Sequence, residues 1–193
     1  AQMPIDQGLK VEAREFIGLA RGDVAQNMIR TLFFHRNAAN KLKSRPTDVP
    51  TQEYTRVGVL GAGMMGAGLA YVLARAGVEV VLIDRTVEEA EQGKGYAESR
   101  LQKRVKRGRS TEEQMQQTLD RITPTTDYAE LEGAEMVIEA VFEDRKIKAD
   151  VTQKAEAVLG ASAIFASNTS TLPITELAEA SERPANFIGL HFF

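Results

Sequence analysis

The sequence contains no cysteine. That excludes disulfides, thiolate nucleophiles and cysteine-ligated metals, and it leans weakly towards a reducing compartment. Histidine is nearly absent too, with only His35 and His191 present, so no metal site is expected. Long apolar runs are missing. The most apolar stretches are strand-sized, such as Val78 to Ile83, and none approaches the roughly 20 residues needed to span a bilayer. Charge of one sign is lacking as well: 24 Lys and Arg stand against 27 Asp and Glu, interspersed, for a net charge of −3. Nucleic acid is therefore not an expected partner, because no broad positive field is available to its phosphates. The opening AQMPIDQGLK has no charged-then-apolar signal pattern and does not read as a natural beginning.

What is present is an ordinary globular balance, 43% hydrophobic and 26% charged over 193 residues. This suits one domain plus a smaller segment. From Gln7 to Lys43 the apolar residues Val24, Met28, Leu32, Ala39 and Leu42 keep helical spacing, and a break near Arg21 and Gly22 predicts two helices. The polar stretch SRPTDVPTQEYT carries two prolines and no apolar period, which marks a linker. We expect a helical segment over residues 1–50 and a second domain over 51–193.

Beyond the linker, short β-branched runs alternate with helical segments, the pattern of a doubly wound α/β parallel sheet of Rossmann type. The expected strands are Val57 to Leu60, Val78 to Ile83, Ile122 to Thr125, Met136 to Ala140, Ala163 to Ala166 and Phe187 to Leu190. A small-residue helix, Ala67 to Ala76, ends at Gly77. Capping boxes are readable at Thr86 with Glu89 and at Ser110 with Glu113, the first opening a long polar helix that reaches the basic tract KRVKRGR. A later helix carries apolar positions at Ile147, Val151, Val158 and Leu159, and Pro173 is expected to open a short one.

The first strand runs into GAGMMG. A strand that turns sharply into a helix against a pyrophosphate needs glycine at Gly61 for the turn, at Gly63 for close approach and at Gly66 for packing of helix on strand. Met65 would lie in that turn, against the cofactor. Asp84 ends the next strand about 20 residues later, where a carboxylate accepts from the adenine ribose hydroxyls and repels a 2′-phosphate. NAD is the expected cofactor, although the neighbouring Arg85 could favour a 2′-phosphate. A glycine turn alone also fits a methyltransferase, and Asp84 could merely cap a strand.

Five segments, VGVLGAGMMGAGLA, VVLID, VIEAVFEDRKIK, IFASNTSTLPI and FIGLHFF, resemble the 3-hydroxyacyl-CoA dehydrogenases in order and spacing over nearly all of residues 55–193. The last three are not required by a general Rossmann fold and argue against a methyltransferase. The resemblance implies NAD-dependent oxidation of a (3S)-3-hydroxyacyl-CoA to the 3-oxo thioester in fatty-acid β-oxidation. It places Ala140, Val141, Phe142 and Glu143 along the nicotinamide side, with Lys148 reaching toward the cofactor. Without it, Glu143 and Lys148 would read as a solvated helical pair. It gives Ser170 a hydrogen bond to the substrate 3-oxygen and contact with the nicotinamide region, and it leaves Asn168 to hold the loop. His191 becomes the base that takes the 3-hydroxyl proton, a task for which imidazole suits neutral pH; on composition alone it would be a packed histidine beside Phe192 and Phe193.

Residues 4–34, PIDQGLKVEAREFIGLARGDVAQNMIRTLFF, resemble the end of the enoyl-CoA hydratase part of multifunctional fatty-acid oxidation enzymes. The family implies an acyl-CoA substrate, a thiolase subunit as partner, and a bacterial cytoplasm, with the mitochondrion and peroxisome as alternatives. In the family a Glu that orients the histidine follows the HFF segment, then a helical domain, whereas this sequence ends at Phe193. The expectation is a chain that folds and binds NADH with little turnover. A dinucleotide-binding module without catalysis is the competing reading.

Overall fold

The computed structural model describes residues 3–192. The chain divides into two compact units, 1–52 and 53–193. In the first, helix α1 (Ile5–Ala20) breaks at Arg21 and Gly22, and helical structure resumes with α2 (Asp23–Met28) and α3 (Arg36–Asn40). Between those two lies a π-helical stretch, Ile29–His35, which the spacing did not announce. The large apolar side chains Ile5, Phe16, Leu19, Leu32, Phe33 and Phe34 are exposed.

The second unit is a parallel sheet of strands β1 (Arg56–Leu60), β2 (Glu79–Ile83), β3 (Ile122–Thr125), β4 (Met136–Glu139), β5 (Ile164–Ser167) and β6 (Phe187–Gly189). Among the described residues the strand order is β3-β2-β1-β4-β5-β6, the doubly wound order of a Rossmann sheet. The helices are α4 (Met64–Arg75), α5 (Val87–Lys106), α6 (Glu112–Leu119), α7 (Arg145–Glu156) and α8 (Ile174–Ala178). Both sheet faces are covered, so successive strand residues feed two cores. Val57, Val59, Val80, Leu82 and Ile138 pack with Leu69, Leu101 and Ile122 on one side. Leu60, Val81, Ile83, Val137 and Phe165 pack with Val151 and Leu159 on the other. Such double burial is why these strands read as continuous apolar runs. At the sheet edge, Phe165 and Phe187 stack 5.2 Å apart and hold β6 to β5.

Three local readings need correction. Helix α4 begins at Met64, not Ala67, because Gly63 is already extended and acts as its N-cap. The second capping box is formed by Thr111 and Gln114 rather than Ser110 and Glu113. The helix starts at Glu112, so Gln114 is the third helical residue and the one able to reach back to the cap. At Thr86 only half the box forms: its hydroxyl accepts from the Glu89 N–H at 3.2 Å, while the Glu89 carboxylate pairs with Arg85.

The α7 face also differs from its pattern. Ile147 is 42% exposed whereas Lys148 is only 2% exposed. The inward face runs through Lys148, Val151, Thr152 and Ala155, with Leu159 buried beyond the helix end. A buried ammonium in place of an isoleucine requires buried acceptors, and these come from the strand ends described below.

Candidate functional site

A parallel sheet offers its ligand crevice where the strand order reverses, at the carboxyl edge. Here the reversal lies between β1 and β4. The glycine turn follows β1, Asp84 follows β2, residues 140–143 follow β4, residues 168–171 follow β5 and His191 follows β6. Residues separated by up to 130 positions thus meet along one edge because each ends a strand.

The turn itself is shaped by backbone contact. Gly61 has φ +91°, and a Cβ there would lie 2.6 Å from the Ala140 carbonyl oxygen. A Cβ on Gly66 would lie 1.7 Å from the Gly61 carbonyl oxygen. Nothing lies within 4 Å of a Cβ built on Gly63, which leaves the side of the turn open. No side chain caps α4, so its first N–H groups and the positive end of its dipole remain for an anion. The Asp84 carboxylate accepts from the Ala62 N–H at 2.6 Å and from the Arg85 N–H at 2.8 Å. It therefore braces the turn while keeping lone pairs for further donors. The Arg85 guanidinium is engaged by Glu89.

Met65, Val141, Glu143, Asn168, Ser170 and His191 line one cleft of about 310 Å³. Phe142 does not join them; it sits on the loop, 76% exposed. Lys148 lies beneath the cleft rather than in it. Its Nζ bonds Glu139 at 2.8 Å and Glu143 at 3.1 Å, and the solvated-pair reading fails because the ammonium is buried. Glu143 accepts from the Thr169 hydroxyl, from the Ser170 N–H at 3.1 Å and from the N–H and hydroxyl of Thr171 at 3.3 Å each. The Asn168 side-chain oxygen accepts from the Phe192 N–H at 3.1 Å, tying the β5 end to the segment that carries His191. Phe193, the last residue of that segment, lies outside the described residues.

Burial pushes the Glu143 pKa up, but the Thr169 hydroxyl, the Lys148 ammonium and the Thr171 N–H outweigh it, and the carboxyl sits at about 2 instead of 4.5. A folded-state value below the unfolded one means that this carboxylate stabilises the loop above pH 4.5 and ceases to as pH falls towards 2. The Ser170 and Thr171 amide resonances should move through that acid window in an NMR titration. Resonances that stay put between pH 4.5 and 2 would show that Glu143 does not hold the loop.

Two features escaped the sequence pattern. Glu139 is 1% exposed; its only sign in the sequence is a lone charge ending the run MVIE. Between α4 and α5 lies a groove of about 810 Å³ with Leu69, Tyr71, Val72 and Tyr96 among its lining and Arg100, Lys103, Arg104, Arg107 and Arg109 around it. Met65 and Phe192 border both this groove and the cleft. The KRVKRGR tract hinted at the cations but not at their shared wall.

A doubly wound sheet with an uncapped glycine turn, a strand-end aspartate beside it and a histidine in the cleft at its switch point defines a nicotinamide-dinucleotide-binding domain of the dehydrogenase type. The chain belongs to the 3-hydroxyacyl-CoA dehydrogenase NAD-binding domain family, whose model matches residues 56–193. It is 39% identical over 191 residues to the fatty acid oxidation complex subunit alpha of Psychrobacter arcticus, covering 99% of this chain and 26% of that protein. The counterpart from Psychrobacter sp. strain PRwf-1 is 40% identical, covering 97% and 26%. The chain therefore spans about a quarter of the length of these relatives. Among solved structures, (S)-3-hydroxybutyryl-CoA dehydrogenase from Ralstonia eutropha superposes with a TM-score of 0.70 at 35% identity, covering 73% of this chain and 50% of that one. The 3-hydroxybutyryl-CoA dehydrogenase of Escherichia coli K12 gives 0.70 at 36% identity, covering 74% and 30%.

Proposed function

We propose that the chain is the NAD-binding, base-bearing part of an enzyme that oxidises (3S)-3-hydroxyacyl-CoA to 3-oxoacyl-CoA in fatty-acid β-oxidation. The observation that carries this is the cleft in which His191 and Ser170 stand beside Met65, with the cationic groove opening from its rim. An acyl-CoA needs both halves: a polar cleft for C3 and a basic, partly apolar channel for the phosphates and adenine of CoA. The turn at Gly61, Gly63 and Gly66 binds the cofactor pyrophosphate, Asp84 its adenine ribose, and Val141 and Glu143 border its nicotinamide. Bound NAD supplies the acceptor for the electron pair and hydrogen leaving C3. Ser170 donates to the substrate 3-oxygen, and an imidazole nitrogen of His191 takes the hydroxyl proton. Placing these groups in one cleft converts an encounter of several molecules into a single oriented complex.

Residues 1–50 are the end of a hydratase-like region in a multifunctional protein. The alignment to the Psychrobacter arcticus subunit, which covers 99% of the chain, supports this, since the dehydrogenase family model begins only at residue 56. The relatives' designation as a complex subunit supports a thiolase partner, and their bacterial origin supports the cytoplasm. No helix among the described residues is long and apolar enough to cross a membrane.

The test is NADH-dependent reduction of acetoacetyl-CoA by a protein carrying this chain at its relatives' full length. Saturable NADH binding without turnover would leave a dinucleotide-binding module instead. A cofactor prediction can be checked on the chain itself. Asp84→Asn should weaken NADH by about 1 to 3 kcal/mol, the range for a lost charge-assisted hydrogen bond, and narrow the preference over NADPH. Equal wild-type affinity for NADH and NADPH by calorimetry would contradict the role given to Asp84.

A further inference from the structure

The geometry points to Glu139 as a positioning residue that couples the two cleft-lining loops through a closed ring of hydrogen bonds. Its Oε1 accepts from Lys148 Nζ at 2.8 Å and from the Val141 N–H at 2.9 Å. Its Oε2 accepts from the Ser167 hydroxyl at 2.6 Å. Lys148 passes the connection to Glu143 at 3.1 Å, and Glu143 grips Thr169, Ser170 and Thr171. Ser167 and Thr169 lie two residues apart in one chain, so the path returns to where it began. Each of these three bonds on Glu139 thus serves either the loop after β4 or the elements that hold the loop after β5.

The energetics single this carboxylate out. Glu139 and Lys148 are 1% and 2% exposed, and a buried ion pair is seldom more stabilising than apolar side chains of the same volume. A leucine at the end of MVIE would fill the core without any desolvation cost. What leucine could not do is hold the Val141 N–H and Lys148 at once. The charge fixes Lys148 from below, and Lys148 in turn fixes Glu143, so residues 169–171 are positioned by a carboxylate whose own hydrogen bonds go to Val141, Lys148 and Ser167. Neutralising Glu139 leaves Lys148 with one counterion, free to follow the more exposed Glu143, and the ring opens.

The experiment uses the whole 193-residue chain with Glu139→Gln, which keeps the volume and removes the charge, and Glu139→Asp, which keeps the charge on a shorter stem. Amide hydrogen exchange is read at Val141, Ser170 and Thr171, and NADH affinity by fluorescence titration. In Glu139→Gln, Ser170 and Thr171 should lose protection together with Val141, and NADH affinity should fall roughly ten- to a hundredfold, as for a lost charge-assisted hydrogen bond. In Glu139→Asp, Val141 should lose protection while Ser170 and Thr171 keep theirs, since Lys148 remains paired; this arm decides the matter even if the Gln variant does not fold. Wild-type protection of Ser170 and Thr171 in the Gln variant would overturn the proposal, as would equal losses at all three amides in the Asp variant. The affinity arm rests on the reading of the cleft as the nicotinamide site. A wild-type chain that fails to bind NADH would refute that reading, while the amide arm still decides the role of Glu139.

Discussion

Gly66→Ala is expected to weaken NADH binding to the chain by about a hundredfold or more and to destabilise it. The added Cβ would lie 1.7 Å from the Gly61 carbonyl oxygen and 3.3 Å from a Val59 methyl. Neither neighbour can yield easily. Gly61 is held by its N–H to the Ile83 carbonyl at 2.7 Å, and its φ of +91° leaves no alternative backbone path. Either α4 lifts off β1 or the turn flattens, and both displace the N–H groups that would face a pyrophosphate. Overpacking of this kind costs about 1 to 3 kcal/mol, and more where backbone meets backbone. Each 1.4 kcal/mol reaching the bound state lowers affinity about tenfold, so a loss of a hundredfold or more should appear in calorimetry. Gly95→Ala is the internal control. Nothing lies within 4 Å of its Cβ, and it sits in the middle of α5, so alanine should raise stability by about 0.5 to 1 kcal/mol. Similar behaviour of the two variants would mean that the turn does not depend on close packing at Gly66.

His191→Gln, in a protein carrying this chain at its relatives' full length, should cut turnover by roughly 10² to 10⁴, the range for loss of a general base. NADH affinity should stay near the wild-type value, because the turn, Asp84 and the loop at 140–143 arise from other strands. The split is informative because His191 follows the edge strand β6. It is positioned by backbone pairing, the Leu190 N–H to the Ser167 carbonyl at 2.9 Å, and by Asn168 on the Phe192 N–H at 3.1 Å. Both of these bonds come from β5 and the loop that follows it. Ser170→Ala should cost less, since a hydrogen bond to the 3-oxygen is lost but the proton acceptor remains. Turnover unchanged in His191→Gln would remove the histidine from the reaction altogether.

Much of this was legible in the residues. The six strands appear within one or two positions of their expected bounds, because a parallel sheet buried on both faces writes itself as short β-branched runs. The glycine turn was legible because the close approach of Gly66 to Gly61 spans only five residues. The family resemblance places Phe142 on the nicotinamide side, and the structure shows it 76% exposed on the loop after β4. The α7 face departs from its apolar spacing at Ile147 and Lys148, because hydropathy alone sends a lysine to solvent and only its acceptors show otherwise.

The strands, the phosphate turn and the strand-end position of His191 were all readable from the residues alone. Each depends on residues adjacent in the chain or on a repeating pattern that local sterics and burial enforce. The strand order with its switch point, the burial of Glu139 and Lys148, the hold of Glu143 on the loop at 169–171 and the sharing of one groove by five cations with Tyr71 and Tyr96 all came from tertiary packing. Those outcomes depend on groups brought together from strands and helices far apart in the chain. Whether a charged side chain is solvated or locked is settled by the partners that packing supplies, and no period in the sequence records them.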